Sequence, residues 1–215
     1  LCRPYQMGTV GLKHPRLFAT TAKLNQRHRN LRVEATPAPR SSSSSGGGDG
    51  SIFAEREAAA ASRVLHLLTH GAHKGKTSIV YCTKTTTCDE LAQFLNDHGV
   101  SAAWYHSRGT LPATTATATG TRARRGEGFD AQKRRAREKW LQNDGTVQVL
   151  VATSALGRGI DNQHVRQVIH FDMPPSLANL YQEVGRAGRD GLPADCTVLF
   201  RASDVLQVQR LVLSR

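Results

Sequence analysis

The chain has 215 residues, 39% of them hydrophobic, which is enough to build one ordinary core or two small ones and too much for a wholly disordered protein. Lys and Arg number 29 against 17 Asp and Glu, a formal charge of +12 that favours polyanionic partners. No apolar run approaches the ~18 residues needed to span a bilayer, and the first residues lack the apolar stretch of a secretory signal, so membrane and secreted readings are set aside.

Residues 1–50 hold eight basic and two acidic groups and end in Ser41 to Gly50, a run of Ser and Gly that cannot bury enough surface to offset its ordering entropy. They read as a disordered tail and linker, and residues 51–215 as the domain. The chain begins at Leu1 and not at Met, which suggests that it derives from something longer. Apolar residues at helical spacing predict a helix over 54–70, Gly71 to Gly75 breaks it, and Ser78 to Cys82 reads as a buried strand. Gly75-Lys76-Thr77 invites a phosphate-binding P-loop, but His70 stands where that loop needs Gly. The order is also reversed, helix before and strand after, so a plain turn is the better reading.

A helix is expected over 86–98, with Asp89 and Glu90 on an exposed face, and then a strand over Ser101 to Tyr105. Residues 110–128 are small, polar and then basic with no apolar period, a disordered insertion. Residues 122–139 carry eight basic and three acidic groups, whereas 140–215 balance at seven and seven. Most of the excess charge therefore lies in the tail and around the insertion, where solvated loop charge competes with nucleic-acid contact as its explanation. Further elements are a helix over 130–142, strands at Val147 to Ala152 and Val165 to Phe171, and a helix over 177–185 capped by Ser176. A strand at Cys196 to Phe200 and a last helix from about Asp204 complete the order. Strands alternating with helices imply a parallel sheet covered on both faces. Cys2, Cys82, Cys88 and Cys196 form no C-x-x-C pair, so no metal site is expected, and the pattern suits a reducing compartment.

The chemistry concentrates between Val151 and Gly191. Arg186 and Arg189, each preceded by Gly, lie three apart at one helix end; such planar, permanently charged groups suit an arginine finger, and equally a surface pair engaged with Asp190 or Glu183. Gln182-Glu-Val-Gly-Arg-Ala-Gly-Arg-Asp190 resembles the sixth helicase motif of RecQ-family DNA helicases. Val151 to Asp161 is similar to that family's fifth motif, Ile79 to Cys82 to its fourth, and Ala103 to His106 to the strand that follows. Leu12 to Pro15 and Arg29 to Leu31 more loosely resemble the segment joining the family's two motor domains.

The resemblance covers about 52–201 and implies the second RecA-like domain of a superfamily 2 helicase, which closes over ATP bound by the first. It implies Arg189 as arginine finger with Arg186 beside it, Gln182 coupling nucleotide to closure, and Asp161 with Gly159 at the ribose. Thr83, Thr153 and Ser154 would contact the phosphates of the tracking strand. By structure alone, Asp161 could instead cap a helix and Thr153 merely end a strand. Also implied are 3′ to 5′ unwinding of DNA in repair or recombination, a first motor domain as partner that holds most of the ATP and Mg2+, a nuclear location, and no hydrolysis by this chain alone. Arg158 is typical of DEAD-box RNA helicases, whereas Gln182, Ala187 and the His170-Phe-Asp-Met-Pro174 wording are closer to RecQ. A DEAD-box RNA helicase domain and a non-enzymatic nucleic-acid-binding fragment are the alternatives.

Overall fold

A computed structural model describes residues 29–35, 55–107, 128–154, 156 and 161–200. The described strands are β1 (Arg29–Ala35), β2 (Ser78–Tyr81), β3 (Ala102–Tyr105), β4 (Val149–Ala152), β5 (Gln167–His170) and β6 (Ala194–Phe200). The described helices are α1 (Glu55–His70), α2 (Thr85–Asp97), α3 (Phe129–Gln142) and α4 (Leu177–Val184). The strands form one parallel sheet in the order β1-β6-β5-β2-β4-β3, as expected for a RecA-like α/β domain. No described helix is long and apolar enough to cross a membrane.

Because successive strand residues point to opposite faces, both faces must be apolar in a sheet covered on both sides. Ile79, Leu150, Val168 and Val198 face one way and pack with Trp140 of α3 and Leu180 and Val184 of α4. Val80, Val149, Val151 and Ile169 face the other and pack with Val64 and Leu68 of α1 and Leu91 and Leu95 of α2. Trp140 is fully buried and its indole N–H donates to the Ser78 carbonyl at 3.2 Å.

The main correction concerns the tail. Arg29–Ala35 is paired along its length with β6, Arg29 opposite Ala194 through Ala35 opposite Phe200, and so belongs to the sheet. Glu34 fastens the strand to α1 by accepting from Arg63 Nε at 2.8 Å and Nη2 at 2.7 Å. Local sequence hides this because the pairing partner lies at the other end of the chain. The expected turn stands between α1 and β2, with Gly75 in the left-handed region at φ +72°. Asp89 and Glu90 lie on α2 as expected, but both are half-buried, and Asp89 accepts from His106 Nε2 at 2.9 Å. His106 and Phe129, on either side of the insertion, bring their rings within 5.5 Å, and Phe129 stacks on Trp104 at 4.7 Å. The rest of the tail, the linker 41–50, the insertion over 110–127, Arg158, Gly159 and the helix from Asp204 lie outside the described residues.

Candidate nucleotide and nucleic-acid site

Parallel pairing brings the carboxyl ends of β2, β4 and β5 side by side. Tyr81 is opposite both Ala152 and His170, so Thr83, Ser154 and Asp172 follow at matching steps beyond the strands. Thr83, Thr153 and Ser154, expected as phosphate contacts, are thus brought together at one edge; Thr83 and Ser154 are exposed, and Thr153 is buried with its amide donating to the Tyr105 carbonyl at 3.3 Å. Thr83 donates its amide at 3.0 Å and its hydroxyl at 2.8 Å to the same Asp172 oxygen. A carboxylate oxygen that accepts an amide and a hydroxyl together presents what a phosphate oxygen would present. Sequence reasoning gave Asp172 no role; the signal available was its place two residues past the end of a strand that neighbours β2.

The arginines are placed by α4 and the turn behind it. Ser176, following Pro174-Pro175, caps α4 by accepting from the Asn179 amide at 3.1 Å. The chain then tightens, and the Gly188 amide donates to the Val165 carbonyl at 3.0 Å with Gly188 at φ +60°, a conformation that favours Gly. The Asp190 carboxylate pairs with the Arg166 guanidinium, whose hydrogen bond holds that carboxyl below its ordinary range. Arg186 is half-buried and donates from Nη2 to the Leu156 carbonyl at 2.8 Å. Arg189 is exposed and pairs with Asp161, Nη1 to Oδ1 at 2.5 Å. Gln182 lies exposed on α4, one turn before Arg186.

The sequence alternative of Asp190 or Glu183 pairing with these arginines is not what forms. Asp190 binds Arg166, and Glu183 meets His170, Nε2 to Oε2 at 2.8 Å, with both side chains buried. Tyr81 stacks on His170, ring centroids 5.3 Å apart and planes 20° from parallel. Burial pushes the Tyr81 phenol well above its ordinary range, and the Arg186 guanidinium is the charge that opposes this most. Tyr81, His170 and Glu183 were also missed as a group, because they belong to three elements and only the sheet register brings them together.

Two guanidiniums and an exposed carboxylate on neighbouring turns suit the phosphate end and a hydroxyl of a nucleotide, so the residues present fit part of an ATP site. Among the described residues no group of three or more His, Cys, Asp or Glu is placed to hold a metal ion.

The helicase conserved C-terminal domain family matches residues 59–191. An ATP-dependent DNA helicase RecQ of Haemophilus influenzae is 37% identical over 144 residues, which are 67% of this chain and 20% of that protein. An ATP-dependent DNA helicase Q-like 2 of Arabidopsis thaliana is 30% identical over 204 residues, 91% of this chain and 26% of that protein. The chain therefore spans about a fifth to a quarter of the length of these relatives. Among solved structures, the DEAD-box protein SrmB of E. coli superposes with a TM-score of 0.54 at 26% identity, covering 73% of this chain and 78% of that one. The family match extends from within α1 to just past the Arg189 turn, and by it the chain belongs to the helicase conserved C-terminal domain family, its curated relatives being RecQ-type DNA helicases.

Proposed function

We propose that this chain is the second motor domain of an ATP-dependent 3′ to 5′ DNA helicase of the RecQ type, supplying an arginine finger and contacts to the DNA backbone. The observation that carries this reading is the Arg186 and Arg189 turn, which Gly188 and the Arg166–Asp190 pair anchor while Arg189 stays exposed on a carboxylate it can exchange for a phosphate.

Bound ATP supplies the phosphoryl group whose transfer to water drives the cycle, and it is held mainly by a first motor domain, to which we also assign Mg2+. Arg189 neutralises charge on the transferred group, and Arg186, steadied by the Leu156 carbonyl, stands beside it. Asp161, once Arg189 leaves it, accepts from a ribose hydroxyl, and the family resemblance assigns Gly159 to the same part of the nucleotide. Gln182, a turn earlier on α4, senses the nucleotide and links it to closure. Thr83, Thr153 and Ser154 grip the strand through its phosphates, so binding tolerates any base sequence and weakens with salt. Work in DNA repair or recombination and a nuclear location follow from the same reading, and imaging of a tagged chain tests the second.

The test is ATP hydrolysis by this chain joined to a first motor domain, with and without single-stranded DNA. The reading expects stimulation by DNA, loss of most of the rate in Arg189→Ala with nucleotide still bound, and no hydrolysis by the chain alone. A silent Arg189→Ala overturns it. The 26% identity to a DEAD-box protein favours RNA as a second reading, and stimulation by RNA and not DNA selects it.

A further inference from the structure

The strand grip and the arginine turn are joined by side chains that neither activity uses directly. Tyr81 lies two residues before Thr83, and His170 two residues before Asp172, on neighbouring strands where Tyr81 and His170 are paired. Their rings stack at 5.3 Å. His170 then reaches Glu183 on α4 at 2.8 Å, three residues before Arg186. The Tyr81 hydroxyl is buried without a hydrogen bond of good geometry, and the guanidinium that acts on it most is that of Arg186.

A stability argument does not account for this arrangement. A buried ionisable pair is commonly matched or exceeded in stability by apolar side chains of the same volume, and a buried hydroxyl lacking a well-formed bond costs free energy. The three polar groups do have one shared geometric property. They lie between the Thr83–Asp172 contact, which a phosphate must remodel, and the end of α4, where the Glu183 carbonyl accepts from the Arg186 amide at 3.1 Å.

We infer that Tyr81, His170 and Glu183 are positioning residues that transmit occupation of the strand grip to the seat of Arg186. This rests on the proposed function, since it takes Thr83 as a strand contact and Arg186 as a nucleotide contact. When a phosphate displaces Asp172 from Thr83, the end of β5 loses one of its ties to β2. His170 follows it, and the stacked Tyr81 and the bonded Glu183 carry the shift to Arg186, whose amide donates to the Glu183 carbonyl. Two bonding arrangements of one network, and not gradual deformation, are what such a path requires.

The test uses this chain, isotopically labelled, titrated with single-stranded oligothymidylate while the Arg186 Nε–Hε resonance is followed by NMR, assigned by its disappearance in Arg186→Lys. In the wild type that resonance is expected to shift along the DNA-binding isotherm. Tyr81→Phe keeps the ring and its stack and removes only the hydroxyl, so a purely structural role predicts the same DNA affinity and the same shift of the Arg186 resonance on DNA binding. The inference predicts unchanged DNA affinity and loss of the Arg186 shift, with the same loss in Glu183→Gln as long as its melting temperature shows it folded. An equal shift in Tyr81→Phe overturns the relay, as does DNA binding with no Arg186 shift in the wild type; both leave the strand grip standing. Loss of DNA affinity in folded Tyr81→Phe also overturns it, by placing the hydroxyl in the grip itself. Failure of the wild type to bind DNA removes the grip, and the relay falls with it.

Discussion

Arg189 and Asp161 form an ion pair whose side chains are 34% and 66% exposed. Pairs so open to solvent contribute about 0–1 kcal/mol, so Arg189 gives up its partner at little cost when a more highly charged phosphate is offered. Arg189→Ala is expected to lower DNA-stimulated ATP hydrolysis on the order of 10³-fold or more in a polypeptide with a first motor domain, which steady-state kinetics reads directly. Asp172 acts in the opposite sense, because its carboxylate occupies the Thr83 donors and repels phosphate. Asp172→Ala is therefore expected to tighten single-stranded DNA binding, most visibly at low salt, and a fluorescence anisotropy titration measures it. Asp190 supplies a pH signature. Its carboxyl is held low in the folded chain by Arg166, so the folded state binds fewer protons than the unfolded one between the two pKa values. The stabilisation is complete above the ordinary Asp value of about 3.9 and is lost as pH falls through the lower folded value. Asp190→Asn should flatten the acid limb of a melting-temperature profile, and an unaltered limb would contradict this assignment.

The helices and central strands are legible in the amino-acid sequence, because each announces itself locally. Ser176 behind two prolines, the apolar spacing of 54–70 and the short apolar runs ending at Tyr81, Ala152 and His170 are signals within a single element. What is not legible lies between elements. Thr83 and Asp172 are 89 residues apart in the chain, Asp89 and His106 are 17 apart, and Arg189 and Asp161 are 28 apart. The family resemblance nominates Arg189 and Asp161 separately for a nucleotide, and only the fold shows that they hold each other. Trp140 illustrates how the elements depend on one another, since it fills the space under α3 and binds the Ser78 carbonyl at the start of β2. Trp140→Ala is expected to cost about 3–5 kcal/mol in a denaturant titration, chiefly from the cavity left by a fully buried indole.

At the scale of the whole molecule, β1 is the feature that sequence reading misassigned, since Arg29–Ala35 offers few residues and lies amid charge and low complexity. Its membership in the sheet follows from β6, whose outer edge it covers, and from Arg63 of α1, which holds Glu34. A chain cut to begin at residue 51 should melt lower and associate through the bared edge of β6, both readable by calorimetry and light scattering. The pairing of Arg29 with Ala194 also fixes an order of events. On the ribosome β1 is made first, yet among the described strands its sole neighbour is made last, so it must wait through the synthesis of all the others before it can dock. The entropy of closing that long loop grows only slowly with its length, so β5, β2, β4 and β3 can assemble undisturbed while the first strand stays aside until β6 arrives.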